Sequence, residues 1–373
     1  MTSIKSLNTL FIKFKRLVFA PFYKFFLPLP HPTKAIFTKS LSTDPTNHVQ
    51  KIRSVSKAVY NPPRINGSIS KEYFTLREET PEVFSFELPQ GRVFHDGRII
   101  LSSGQVLAET LYRPLDRVRN PLKPLANLPG LPPVSHFPGR LAVLAAPMCQ
   151  RYYHWLLETL PRINFLKEMQ PDRFYVYGKQ AFIKQSLEFL GIDARQILPQ
   201  RKYAHWSADK ILGVTPLADS GTVTQDTVEF LRSLVTLDRR IESTPRRIYI
   251  SRDDARYRRV LNEQNLFPLF NRYGIQPVTL SRLSFSEQLN LFASVEVVMA
   301  PHGAGLANLV FSPPGCKVIE FMPKNRVNGC FWALSEACGH DYFCLGEVEV
   351  SGSHTHLLVD LRQLNDVCSE FLG

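Results

Sequence analysis

Apolar positions along the chain change period several times, and the changes mark its elements. From Leu141 onward, short apolar runs alternate with stretches of helical spacing. The runs predict strands at Leu141–Ala145, Phe174–Tyr177 and Lys210–Val214. Helices are predicted between and after them at Tyr153–Met169, Gln180–Leu190 and Thr224–Arg240. A break at Glu242-Ser243-Thr244-Pro245 opens a second series. Its strands fall at Arg247–Ile250, Gln276–Leu280, Val295–Met299, Lys317–Phe321 and Tyr342–Leu345. Its helices fall at Asn262–Tyr273, Phe285–Ala293, Gly305–Phe311, Asn328–Ala337 and Leu358–Leu372. Strands that alternate with helices imply parallel sheets with helices on their faces. Two such units in succession form a cleft, and open α/β sheets bind ligands outside the carboxyl ends of their strands.

The pattern ahead of Leu141 is different. Glu72–Glu109 carries short β-type runs, with His95-Asp96-Gly97-Arg98 as a tight hairpin signal between two of them. Arg113–Pro138 holds seven prolines and reads as an irregular connection. Ser6–Leu29 is rich in Phe and Leu at helical spacing. Lys13, Lys15, Arg16 and Lys24 interrupt it, so it is too polar to span a membrane and reads as an interfacial amphipathic helix. A helix packed on the protein's own surface would show the same pattern. Asp44–Gly67 reads as a linker. The division expected is residues 1–67 as a basic amphipathic segment and linker, 68–242 as an N-terminal acceptor-side domain, and 243–373 as a C-terminal α/β domain with a closing helix.

Composition narrows the class. The 373 residues are 44% hydrophobic and 21% charged, which suits a folded soluble protein and excludes extensive disorder and a polytopic membrane protein. The six cysteines show no C-x-x-C spacing, so neither a zinc site nor a disulfide framework is expected, and a reducing compartment is the default. The net charge of +12 is concentrated at one end. Up to Arg64 there are eleven basic residues against Asp44 alone. A nucleic-acid binder would spread positive charge over its fold, whereas a basic arm on a near-neutral body suits an anionic membrane surface.

Three segments carry candidate chemistry. In Val297-Val298-Met299-Ala300-Pro301-His302-Gly303-Ala304-Gly305-Leu306-Ala307-Asn308, an apolar strand runs through a small-residue turn into a helix start. Glycines admit a ligand close to the backbone, and the N–H groups opening a helix attract anions. The segment is neither a Walker loop nor a dinucleotide fingerprint, which needs a third glycine. A plain strand-to-helix turn explains it equally well until His302 is considered, because a bulky polar residue has no packing reason to open such a turn. The second segment is an arginine cluster, Arg246, Arg247, Arg252, Arg256, Arg258 and Arg259, around Ile248–Ile250. Arg252 follows the strand end and would face the cleft, where guanidinium binds phosphate in bidentate fashion. A solvated basic loop is the plainer alternative.

The third is Tyr153-His154-Trp155-Leu156-Leu157-Glu158-Thr159-Leu160-Pro161-Arg162, in which His154, Glu158 and Arg162 recur four apart. His154 or Glu158 could deprotonate a hydroxyl near neutral pH, and the spacing is not that of a zinc motif. By spacing alone, an amphipathic surface helix with ordinary ion pairs accounts for it better. Glu287, three residues after Ser284, reads as half of a capping box. Glu320 closes the run Val318-Ile319 at a strand end, where a carboxylate could meet ribose hydroxyls or simply be solvated.

Taken together, these segments resemble glycosyltransferase family 61. The carrying residues are His154-Trp155-Leu156-Leu157-Glu158, Tyr249-Ile250-Ser251-Arg252, Phe285-Ser286-Glu287-Gln288, Ala300-Pro301-His302-Gly303-Ala304-Gly305-Leu306-Ala307-Asn308 and Val318-Ile319-Glu320, within Ala142–Met322. The resemblance implies a GT-B-like α/β fold of two Rossmann-like domains facing a cleft. It implies an inverting transferase that moves a sugar from a nucleotide-sugar donor to a glycan or lipid-linked glycan acceptor, as in surface-polysaccharide synthesis. Arg252, Arg258, His302, Gly303, Ala304, Gly305, Leu306, Asn308 and Glu320 would then bind the donor, with Glu320 at the ribose, and His154 and Glu158 would be catalytic. No cofactor is implied and no metal is expected, since no Asp-x-Asp occurs in the chain. The expected place is the cytoplasmic face of the membrane, peripherally bound, with no nucleic acid as partner. A catalytically silent nucleotide- or glycan-binding module remains the second reading, and a different cleft enzyme acting on phosphate anions the third.

Overall fold

A computed structural model describes residues 32, 34–66, 79–111, 130–199, 204–235, 244–325, 327–352 and 355–372. The expected amphipathic helix lies outside these residues, as does most of the proline-rich connection. The described residues form a mixed α/β fold with two large sheets.

The C-terminal sheet follows the predicted pattern. Its five main strands are Arg247–Ile250, Gln276–Val278, Val297–Pro301, Lys317–Pro323 and Asp341–Ser351. All pair in parallel, with the second strand outside the first and the third on the first strand's other side. Chain order across the sheet is thus 2-1-3-4-5. The order reverses between Arg247–Ile250 and Val297–Pro301, which is the crevice where such sheets hold ligands. Alternation along each strand explains why both faces are covered. Ile248, Ile250, Val298, Ala300 and Val318 face one helical layer. Tyr249, Met299, Ile319, Phe321 and Phe343 face the helices Glu263–Arg272 and Leu361–Leu372.

The N-terminal sheet is only partly parallel. Ser135–Leu144 lies between Arg173–Val176 and His205–Val214, parallel to both. The other side of His205–Val214 is covered in antiparallel fashion by Val83–Pro89 and Arg92–Phe94. Gly213 sits opposite Phe86, and a Cβ there would stand 2.2 Å from that ring. The expected hairpin is present: Arg92–Phe94 pairs with Arg98–Ile100, and Gly97 turns at φ 103°. Its tip lies against the carbonyl of Ala145, at the end of the central strand.

One expectation fails. Within the expected linker, residues 44–66 are not free chain. His48–Arg53 joins the N-terminal sheet beside Val83–Pro89, and Arg64–Asn66 adds a parallel strand to the C-terminal sheet beside Phe343–Leu345. Between them Tyr60 packs on Trp332, and the Trp332 indole donates to the Asn61 carbonyl at 3.1 Å. Short β-branched runs between prolines were enough to add edge strands to both sheets. The two halves are packed together where they meet. One continuous hydrophobic core runs from Trp155, Leu156 and Leu187 of the first half to Phe285, Leu306 and Phe331 of the second. Polar staples cross it. Arg232 donates to the carbonyls of Val310, Ser312 and Cys338, and Gln185 accepts from the Phe285 N–H.

Candidate active site

The segment after the central N-terminal strand is not a uniform helix. Pro161 has no N–H to give to residue 157, so the ladder cannot run unbroken. The chain answers with a π-helical turn at His154–Thr159, in which the Leu160 N–H reaches back to the Trp155 carbonyl, then a 3-10 turn and an α-helix, Ile163–Glu168. Such π turns recur at functional sites. The surface-helix reading fails here: Trp155, Leu156, Leu160, Ile163 and Leu166 are fully buried on several sides, and the Trp155 indole donates to the Ser186 hydroxyl. His154 and Glu158 remain partly accessible at the rim, 18% and 17% by side chain. Glu158 Oε2 lies 2.8 Å from His154 Nδ1, so the carboxylate fixes the ring and leaves Nε2 outside the pair. Glu158 Oε1 is buried without a hydrogen-bond partner. Arg162 turns inward, donates to the Glu158 carbonyl, and is pushed down to about 10 by burial.

The small-residue turn leaves the carboxyl end of Val297–Pro301 at the point of strand reversal. The helix that follows, Ala304–Phe311, is 3-10 rather than α. Its opening N–H groups have no carbonyls to bond within the helix. Arg252, at the end of the neighbouring strand, lies directly against Gly303: a Cβ on that glycine would stand 2.2 Å from the guanidinium. Arg252 Nη2 donates to the Tyr257 carbonyl at 2.9 Å, and its Nε is buried without a partner. Burial, together with the charge of Arg258, pushes Arg252 down to about 10. Arg258 has φ +56° and donates from Nε to the His302 carbonyl at 2.7 Å. Two guanidinium groups and a helix start thus share one small region, a field suited to a diphosphate.

His302 is 7% exposed, and its Nδ1 lies 2.5 Å from Glu320 Oε1. The other Glu320 oxygen accepts from the Tyr342 hydroxyl at 2.5 Å. Glu320 is wholly buried with both oxygens engaged, so it positions His302 and does not stand open to a ribose. Leu306 and Asn308 also face inward. Leu306 packs in the core, while the Asn308 amide donates to Gln288 and to the Gly305 carbonyl. Of the expected donor-side residues, Arg252, Arg258, His302, Gly303, Ala304 and Gly305 line the turn, and Leu306, Asn308 and Glu320 support it from behind.

The two histidine segments meet. The Tyr152 hydroxyl donates to Asn308 Oδ1 at 2.6 Å across the junction of the halves. Tyr153 packs edge-on against both His154 and Phe331, and Phe331 packs against His302, with centroids 5.2–5.7 Å apart. The Cys330 thiol lies in the fields of both Glu320 and Glu158, which add to the effect of burial in holding its pKa well above the usual range. Sequence reasoning missed Tyr152, Phe331 and Tyr342. Each reads as an ordinary apolar position, and only the packed junction gives it a polar or stacking partner. The Ser284–Glu287 capping box is present as expected and starts the helix that carries Gln288. Among the described residues no group of three or more His, Cys, Asp or Glu converges, and no helix is long and apolar enough to cross a membrane.

Residues 152–319 match the family model described as Glycosyltransferase 61. A curated relative is the EGF domain-specific O-linked N-acetylglucosamine transferase of Drosophila melanogaster. It is 38% identical over 97 residues, which cover 25% of this chain and 18% of that protein. The match therefore spans under a fifth of the relative, and it is the family model that covers both histidine segments. The chain thus carries a glycosyltransferase 61 domain match over residues 152–319, which begins at Tyr152 and reaches the strand holding Glu320.

Proposed function

We propose that the chain is an inverting glycosyltransferase of GT-B-like architecture that moves a sugar from a nucleotide-sugar donor to a glycan hydroxyl. The observation that carries this reading is the meeting of two histidine–carboxylate pairs, His154–Glu158 and His302–Glu320, at one junction beside Arg252.

The donor diphosphate sits at the Gly303–Gly305 turn. Arg252 and Arg258 neutralise the charge that grows on it as the glycosidic bond breaks. His302, held by Glu320 through Nδ1, presents Nε2 to the same region. The acceptor hydroxyl lies on the N-terminal side. His154 Nε2 takes its proton while the oxygen attacks the anomeric carbon from the face opposite the departing diphosphate, and Glu158 stabilises the imidazolium that forms. One displacement inverts the anomeric centre. The buried cations supply the positive charge, and no metal is assigned. The acceptor is a glycan or lipid-linked glycan of surface-polysaccharide type, and the enzyme works at the cytoplasmic membrane face, held there by its basic N-terminal segment.

Calorimetric titration with nucleoside diphosphates tests the donor site. The wild-type protein binds at least one, and Arg252→Ala weakens that binding by about 1.5–3 kcal/mol, the value of a charge-assisted hydrogen bond. Equal affinity in the two proteins would remove Arg252 from the site.

A further inference from the structure

The described residues hold seven exposed large hydrophobic side chains, and four of them, Tyr257, Leu261, Leu358 and Leu361, fall on two adjoining segments. These are 45%, 49%, 43% and 39% exposed. The segments are joined by backbone. Val260 bridges Leu357 in parallel, the Leu261 N–H donates to the Leu357 carbonyl, and the Leu357 N–H donates to the Arg259 carbonyl. Val260 and Leu357 are both buried in the core around Phe270, so in extended chain their successors, Leu261 and Leu358, project together to the outside. Leu361 follows at the start of the closing helix. Three exposed arginines border these leucines: Arg256 and Arg259 on one segment and Arg362 on the other. Arg256 lies over the Tyr257 ring. Asp360 also lies here, with its carboxylate turned to the N–H groups of Arg362 and Gln363.

We propose that this face docks on an anionic lipid surface. Exposed leucines and a tyrosine with arginines beside them are what an interfacial site needs: apolar groups to enter the acyl boundary and cations to meet the headgroups. The charge pattern argues against the other occupants. A second copy would bring its own arginines against these. The chain's N-terminal stretch to Arg64, with eleven basic residues against one acidic, has the same sign as the rim. The surface stands apart from the glycosyl-transfer reading, but it adjoins that site, because Tyr257 supplies the carbonyl that holds Arg252.

The test uses the full chain with Leu358→Cys carrying a polarity-sensitive fluorophore. The native cysteines are all buried, so the label reports on this face. Vesicles of phosphatidylcholine containing a minority of phosphatidylglycerol shift the emission to the blue, whereas pure phosphatidylcholine vesicles do not. Removing Arg256 and Arg259 as Gln weakens the response about fivefold per arginine, the worth of one cation near such a surface. An unchanged spectrum while the protein sediments with the anionic vesicles would overturn the proposal, because another part of the chain would then bind the lipid. Emission already blue without lipid would overturn it too, assigning the face to the protein's own chain if independent of concentration and to a second copy if not.

Discussion

Glu320 holds His302 at 2.5 Å while taking the Tyr342 hydroxyl on its other oxygen, so one buried carboxylate fixes a ring at the mouth of the site. Removing it orphans two buried polar groups. Glu320→Ala lowers unfolding stability by about 1–3 kcal/mol for each partner left unpaired. Tyr342→Phe loses one such bond. Urea unfolding measures both. A midpoint unmoved in Glu320→Ala, with nucleotide affinity lost, would return Glu320 to the ribose.

Arg252 is a cation held in a poor solvent, with burial and Arg258 both acting against its charge. An anion relieves that penalty. Arg252→Gln therefore leaves the ligand-free protein as stable as wild type or more so, while the gain in melting temperature that nucleoside diphosphate gives the wild type disappears. A lower melting temperature for the ligand-free variant would show that Arg252 is a structural residue first.

Gly303 makes room for that arginine. Its φ of −178° is open to any residue, so the need for glycine is spatial. Gly303→Ala pushes the Arg252 guanidinium aside and weakens diphosphate binding, with little change in folding because the displaced atoms end a flexible side chain. Intact affinity in a folded Gly303→Ala protein would separate the turn from the arginine.

How much of this was legible in the sequence differs by element. The C-terminal series of strands and helices could be read because parallel strands covered on both faces are continuous apolar runs. Glu320 follows an apolar run as a strand-end residue would, yet it lies inside the strand Lys317–Pro323. The sequence does not reveal that Tyr342, on the adjacent strand, and His302 would take both its oxygens. His154 and Glu158 were read as a pair. The π turn was not, although Pro161 marks where a helix must break. The edge strands His48–Arg53 and Arg64–Asn66 are not legible, because they are only six and three residues long and gain their order from sheets formed elsewhere in the chain.

His205 and His340 make the protein acid-sensitive. Burial pushes each down to about 4. The His205 Nδ1–H donates to the Pro132 carbonyl and the His340 Nε2–H to Ser312, while the remaining nitrogen of each is buried without a partner for a second proton. The unfolded chain takes up protons near pH 6.5 and the folded chain near 4. Stability is thus complete above about pH 6.5 and lost as pH falls toward 4, by about 3 kcal/mol per histidine. His340→Gln flattens its share of the fall in unfolding free energy between these values. An unaltered pH profile in that variant would place the acid sensitivity elsewhere.

In the proposed function, sugar leaves a nucleotide donor at this junction, with His154 as the base. The most direct measurement is the release of nucleoside diphosphate from a set of nucleotide-sugars, with a glycan acceptor, by the wild-type protein and by His154→Ala. Release from at least one donor is expected at the same rate in excess chelator, with His154→Ala slower by about 100-fold or more at unchanged donor affinity. Glu158→Gln loses less. A folded wild-type protein that binds and cleaves none of the donors would overturn the glycosyl-transfer reading, and equal rates for His154→Ala and wild type would remove His154 as the base.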